Sequence, residues 1–252
     1  MESSSFLTIN DEQIELSQVV KYLQVSGKLN QFISDVLRQY ILETEIATRN
    51  DIDINTALIE QSIIDFRLRN QLTEQEQFQA WLQNNGSDYT TFYESVTFSF
   101  KLEKLKAVIT EPKLPEYFIE RKIYLDRVVL SRIMVDNQEL AEELHTQIEE
   151  GSSFEQLAKE YSIAEEKTFN GMMGPISRGS LPDILRAPID AANPGELIGP
   201  IELEGRFSLF RIESIITASL DNNQLKQSLQ TELFEKWIGE KIQNLTVKLQ
   251  VK

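Results

Sequence analysis

The sequence predicts an α+β protein in two parts, a mostly helical one and a smaller one in which strands and helices interleave. Three observations carry this prediction. Apolar residues recur at helical spacing from Glu12 to Leu105 and again after Leu220, and a β-branched run first appears at Val128. Five of the ten glycines and five of the seven prolines fall between Gly171 and Pro200, which marks a turn-rich stretch. At 252 residues the chain also exceeds the roughly 100–200 residues of a usual domain, so two units are expected.

Phe6 to Asp11 reads as a short strand or extended arm. Glu12 to Gln24 then places Ile14, Leu16, Val19, Val20 and Leu23 at helical spacing, and Gly27 ends that helix. Leu29 to Arg49 repeats the pattern, with Phe32, Ile33, Val36, Leu37, Tyr40, Ile41 and Ile46 on one face. Asn55 to Gln71 adds Ile59, Ile63, Phe66 and Leu68. Thr73-Glu74-Gln75-Glu76 has the form of a capping box, in which Thr73 is the N-cap and Glu76 reaches back, opening a helix with Phe78, Trp81 and Leu82. Ser87-Asp88 begins another helix, which Pro112 and Pro115 interrupt. The first part is therefore bounded at residues 1–121.

The second part is bounded at 127–217. It opens with the strand Val128 to Val135, followed by helices at Gln138 to Glu150 and Phe154 to Ser162. After the turn-rich stretch come strands at Ile201 to Leu203 and Phe207 to Ile215. A last segment, 221–252, holds a helix from Asn222 to about Leu245 with Leu225, Leu229, Leu233, Trp237, Ile238 and Ile242 along one stripe. That stripe is too apolar to leave exposed, so the helix is expected to return to the first part and fill its core. The second part then reads as an insertion.

Composition excludes several functions. A formal charge of −15 opposes nucleic-acid binding, because each phosphate contact needs a Lys or Arg. No apolar run approaches the roughly 18–20 residues that span a bilayer, so no membrane insertion is expected. Met1-Glu2-Ser3-Ser4-Ser5 has neither a basic nor an apolar leader region, which places the protein in the cytoplasm as an expectation. The absence of cysteine removes thiolate chemistry and Cys-based metal sites. His145, the one histidine, lies beside the stripe of Leu140, Ala141, Leu144 and Ile148 among glutamates and reads as a solvated helix residue. Neither metal nor cofactor is expected.

The run Phe154-Glu155-Gln156-Leu157-Ala158-Lys159-Glu160-Tyr161-Ser162, then Gly171 and Gly174, Ser177-Arg178-Gly179 and Pro194-Gly195-Glu196, resembles the parvulin (PpiC-like) family of peptidyl-prolyl isomerases in order and spacing. The N-terminal helices, with Glu232 to Ile238 near the end, are similar to SurA-type foldases, in which a C-terminal helix completes a helical chaperone domain. The resemblance implies a four-stranded antiparallel sheet flanked by helices, inserted into or beside that helical domain. It also implies unfolded or proline-containing polypeptides as partners.

Several family positions are altered. The histidine usual in the first strand falls on Arg132, the Cys or Asp after the second helix on Ala164, and the second histidine on Ser208. The Asp between the glycines falls on Met172 and the aromatic after them on Ile176. The proline-ring pocket implied by the resemblance is lined by Met173, Ile176, Leu181 and Ile184, and the spacing from Ser180 to Leu185 aligns in two ways one residue apart. Each of these apolar residues reads equally as core packing. Arg132 has two readings, a structural ion pair or a grip on a client's carbonyl or acidic side chain.

Three functions follow as expectations. The first is a polypeptide-binding foldase or chaperone with weak or absent isomerase activity. The second is a working isomerase in which Arg132 or Ser208 polarises the amide. The third is a dedicated docking partner in peptide maturation or export.

Overall fold

The computed structural model describes residues 5–250. Met1 to Ser4, on which the expectation about location largely rests, lie outside the described residues. The chain divides into two compact units, one formed by Met1–Leu114 with Ser228–Lys252 and the other by Pro115–Gln227. Among the described residues no helix is long and apolar enough to cross a membrane.

The first unit begins with a hairpin of β1 (Ser5–Ile9) and β2 (Glu12–Glu15). Helices α1 (Leu16–Val25), α2 (Leu29–Thr48), α3 (Thr56–Arg69), α4 (Gln75–Asn84) and α5 (Tyr89–Thr110) follow. The hairpin corrects the helix expected from Glu12. Asn10 and Asp11 adopt left-handed φ of 47° and 70°, which the short Asx side chains tolerate, so the chain reverses before the helix starts at Leu16. The face expected on α2 is corrected as well. Its second half packs through Ile41 and Leu42, whereas Phe32, Val36 and Tyr40 are exposed. Nor does the capping box at Thr73 form: α4 starts one residue later, with Glu74 as an N-cap that makes no side-chain capping bond.

Two cores hold this unit. Ile59 and Ile63 of α3 meet Phe78 and Leu82 of α4 in one, where Trp81 packs edge-on against Phe66 and Phe92, and these two rings are tilted against each other, at centroid distances of 5.1–5.9 Å. In the other, Ile41, Leu42 and Leu105 meet Phe234, Trp237 and Ile238 of the last helix, α10 (Asn223–Gln243). The apolar stripe of the C-terminal segment is thus spent inside the helical unit, and Arg38 holds Glu235 through both carboxylate oxygens.

The second unit starts in α6 (Leu114–Leu125), whose second residue is Pro115, a position where a missing N–H costs a helix nothing. Then come β3 (Arg127–Val135), α7 (Gln138–Glu149), α8 (Phe154–Tyr161), β4 (Met172–Ser177), α9 (Asp183–Ala191), β5 (Leu197–Leu203) and β6 (Arg206–Ile216). The strands form one antiparallel sheet in the order β4-β3-β6-β5. With this sheet and its flanking helices, the α+β class read from the sequence holds. Side chains alternate along β3 and β6. Ile133, Val135 and Leu209 pack under α7 and α8, whereas Val128, Leu130, Phe210 and Ile212 pack under α9 through Leu185 and Ile189.

Candidate functional site

Arg132 and Ser208 lie on the α9 side of the sheet. Pairing sets Arg132 opposite Phe210 and Met134 opposite Ser208, so these four residues share one face on adjacent strands. Glycines flank both candidates. Gly171, at φ 89°, accepts the Arg132 N–H at 2.7 Å, and a Cβ there would meet the Arg132 carbonyl at 2.8 Å. Gly199, at φ 117°, backs onto Ser208, whose carbonyl would lie 2.6 Å from an added Cβ. Neither position accommodates a side chain without moving the site.

The guanidinium of Arg132 is engaged. Its Nη2 donates to both carboxylate oxygens of Glu166, at 2.8 and 2.7 Å. Glu166 sits on a short 3-10 turn, Glu165–Phe169, and its own carbonyl accepts the Gly171 N–H at 2.8 Å, which closes the loop that presents it. Burial pushes the Glu166 carboxyl up, but the hydrogen bond from Arg132, a backbone N–H and the guanidinium charge outweigh this and hold it below its ordinary value. Of the two readings of Arg132, the ion pair is the geometry present. Its Nε and the Oγ of Ser208 are the two buried side-chain polar atoms without a hydrogen-bond partner among the described residues.

The other candidates fall as follows. Ala164 caps the 3-10 turn two residues before Glu166, and its N–H donates to Ser162 Oγ at 3.3 Å. Ser162 also accepts the Met134 N–H at 3.1 Å, so the Tyr-Ser end of α8 serves to pin that helix to β3. Met173 and Ile176 pack against the apolar cluster under α9, and Leu181 lies within it. Ile184 does not join them and is 56% exposed. The inward position on α9 is Leu185, at 3%. Leu185 and Ile189, spaced by four, line one side of the helix, and Leu181 just before it joins the same cluster, a spacing present in the sequence that the two-way alignment obscured. Glu166 carried no such signal, since it is 34 residues from its partner.

Two further ion-pair networks tie elements of this unit together. Asp126 is 4% exposed and accepts Lys122 Nζ at 2.8 Å, the Ala218 N–H at 2.9 Å and Arg178 Nη1 at 3.2 Å. Arg178, from the Ser-Arg-Gly run, also donates to Asp190 on α9, so it ties α9 to the start of β3. Arg211 donates to Glu155 at 2.6 Å and Glu213 at 2.9 Å with its guanidinium 4.8 Å above the Phe154 ring. His145 lies 3.6 Å from Glu149 on α7 and takes no part in the site.

A four-stranded antiparallel sheet with two helices on one face and one on the other, entered by a strand that carries the candidate residue, is the parvulin class of domain. Residues 132–214 match the family model described as Rotamase, PPIC-type PPIASE domain, so this unit carries a PpiC-type domain. More narrowly, the chain is similar to foldase protein PrsA 2 of Listeria innocua, at 23% identity over 70% of this chain and 64% of that protein. It is also similar to PrsA 1 of the same organism, at 27% identity over 42% of this chain and 36% of that protein. A crystal structure of the peptidylprolyl isomerase PrsA from Bacillus cereus is 17% identical, covers 100% of this chain and 96% of that one, and superposes with a TM-score of 0.46. The chain spans less than two thirds of the length of these curated relatives.

Proposed function

We propose that this protein is a foldase that binds extended or unfolded polypeptides and has weak or no peptidyl-prolyl isomerase activity. The observation that carries the reading is the state of the three family positions. Arg132 is held by Glu166, Ala164 offers no polar group, and Ser208 is fully buried. Rotating an X-Pro amide crosses a barrier of about 18–20 kcal/mol without breaking a covalent bond, so no nucleophile is obligatory. A tenfold acceleration needs only about 1.4 kcal/mol of preference for the twisted amide. Donors aimed at that amide supply such a preference, and losing one costs about 3–4 kcal/mol in enzymes that depend on it. Here the cation is spent on a carboxylate and the hydroxyl lies beneath the surface.

A second reading is favoured by one observation. Arg132 Nε and Ser208 Oγ both lack partners and share a sheet face, so an opening of this site would offer two donors to one carbonyl. Cis/trans exchange in Ala-Pro and Glu-Pro peptides, followed by NMR, separates the readings. The expected result is no acceleration at catalytic amounts of protein, with chemical-shift perturbation and suppressed aggregation of an unfolded client at stoichiometric amounts. Catalytic acceleration that disappears in Arg132→Ala would establish the second reading instead.

A further inference from the structure

The Arg132–Glu166 pair reaches the surface, its side chains 20% and 23% exposed, and the segments bonded to it expose apolar residues. Ile163, whose N–H donates to the Met134 carbonyl, is 46% exposed. Phe169 ends the 3-10 turn that carries Glu166 and is 72% exposed. Met172 follows the glycine that accepts the Arg132 N–H and is 50% exposed. A neutralised cation therefore sits among segments that present three large apolar side chains to solvent. The chain leading to it is strongly acidic: residues 136–169, which include the turn, contain ten Asp and Glu against Lys159 and Lys167. An acidic partner would meet this field and would also compete with Glu166 for a guanidinium already bound through two oxygens.

We infer that this surface takes apolar polypeptide segments flanked by basic residues, and that Glu166 is the residue that sets this charge preference. The inference rests on the polypeptide-binding reading above and names its substrate class. With Glu166 ionised, Arg132 contributes no net attraction for acids, and the acidic excess of residues 136–169 decides in favour of Lys and Arg. Removing the Glu166 charge exposes an uncompensated guanidinium, which favours acidic segments. Removing Arg132 leaves an uncompensated carboxylate and sharpens the preference for bases.

The test titrates three capped peptides, Lys-Ala-Pro-Phe, Gln-Ala-Pro-Phe and Glu-Ala-Pro-Phe, into the 15N-labelled full chain, following the amides of Ile163, Gly171 and Met172. The protein as it stands is expected to bind them in the order Lys, Gln, Glu, with about tenfold between the extremes at low salt and a narrower spread at high salt. Glu166→Gln is expected to raise affinity for the Glu peptide about tenfold, and Arg132→Gln to widen the Lys-to-Glu ratio by a similar factor. The two variants move the ratio in opposite directions, so either one that folds decides. Peptide binding with no charge order, or an order that neither variant changes, would sink the inference and leave the foldase reading standing. Failure of all three peptides to bind anywhere would remove both. Concentration-dependent shifts of the same amides without peptide would show a second copy of the chain on this surface, which also overturns it.

Discussion

Arg211 shows how a single residue on this sheet sets local electrostatics. Its hydrogen bond, together with Ser153 Oγ and a backbone N–H, holds the Glu155 carboxyl down at about 2 against burial. A carboxyl depressed in the folded state stabilises the fold fully above its unfolded value of about 4.3, and that contribution disappears as pH falls toward the folded value. The window for Glu155 therefore runs from about pH 4.5 down to about pH 2. Glu166 and Asp126, also held low, add in the same direction. In Arg211→Gln, 13C-detected titration of Glu155 should move back toward pH 4.3, and the stability gap to the parent protein should be open at pH 7 and shut near pH 2. A gap unchanged across that range would mean the pair contributes nothing. Residue identity at Arg132 was readable beforehand, as was the choice between ion pair and client grip. Its partner was not, because the fold alone brings Glu166 across 34 positions.

At the scale of elements, helices whose apolar residues keep a period near 3.6 were legible, and so were β3 and β6 with their β-branched runs. What escaped was set by turns or by breakers. β2 is four residues long and merges with the α1 pattern unless the Asn10-Asp11 reversal is recognised. β4 contains two of the punctuating residues, Gly174 and Pro175, and is visible only as a partner of β3. α9 contains Pro188, which normally ends a helix, yet it lies in a nine-residue helix beginning at Asp183. The helix is held from both sides, by Leu185 and Ile189 in the core and by the bond from Arg178 to Asp190. This makes its two candidate pocket positions separable. Leu185→Ala should cost about 2–5 kcal/mol in urea unfolding, because it opens a cavity among buried residues. Ile184→Ala should stay within about 0.5 kcal/mol while weakening peptide binding if that side chain touches a client. Equal destabilisation by both would contradict the inward face assigned to α9.

For the whole molecule, the discontinuous helical unit has a consequence that either half of it alone would lack. One of its two cores draws on residues from before the PpiC-type domain and after it, Leu105 with Phe234 and Trp237, while the clusters under the sheet draw on none of these. The chain crosses between units twice, at Leu114 and at Gln227, each time within a helix. Both tryptophans, Trp81 and Trp237, fall in the helical unit, so fluorescence excited selectively at tryptophan reports on that unit. Phe234, 3% exposed and stacked 5.4 Å from Trp237, is the place to perturb it. Truncation to Ala removes a buried ring from the core that joins the two ends of the chain, at a cost of about 3–5 kcal/mol. Phe234→Ala should therefore lower the denaturant midpoint seen by fluorescence. Hydrogen exchange of the β3 and β6 amides should remain as slow as in the parent, because their clusters contain no residue of the helical unit. Loss of β3 protection in step with the fluorescence change would mean that the two units unfold as one, and that an inserted domain of this kind depends on its host for stability.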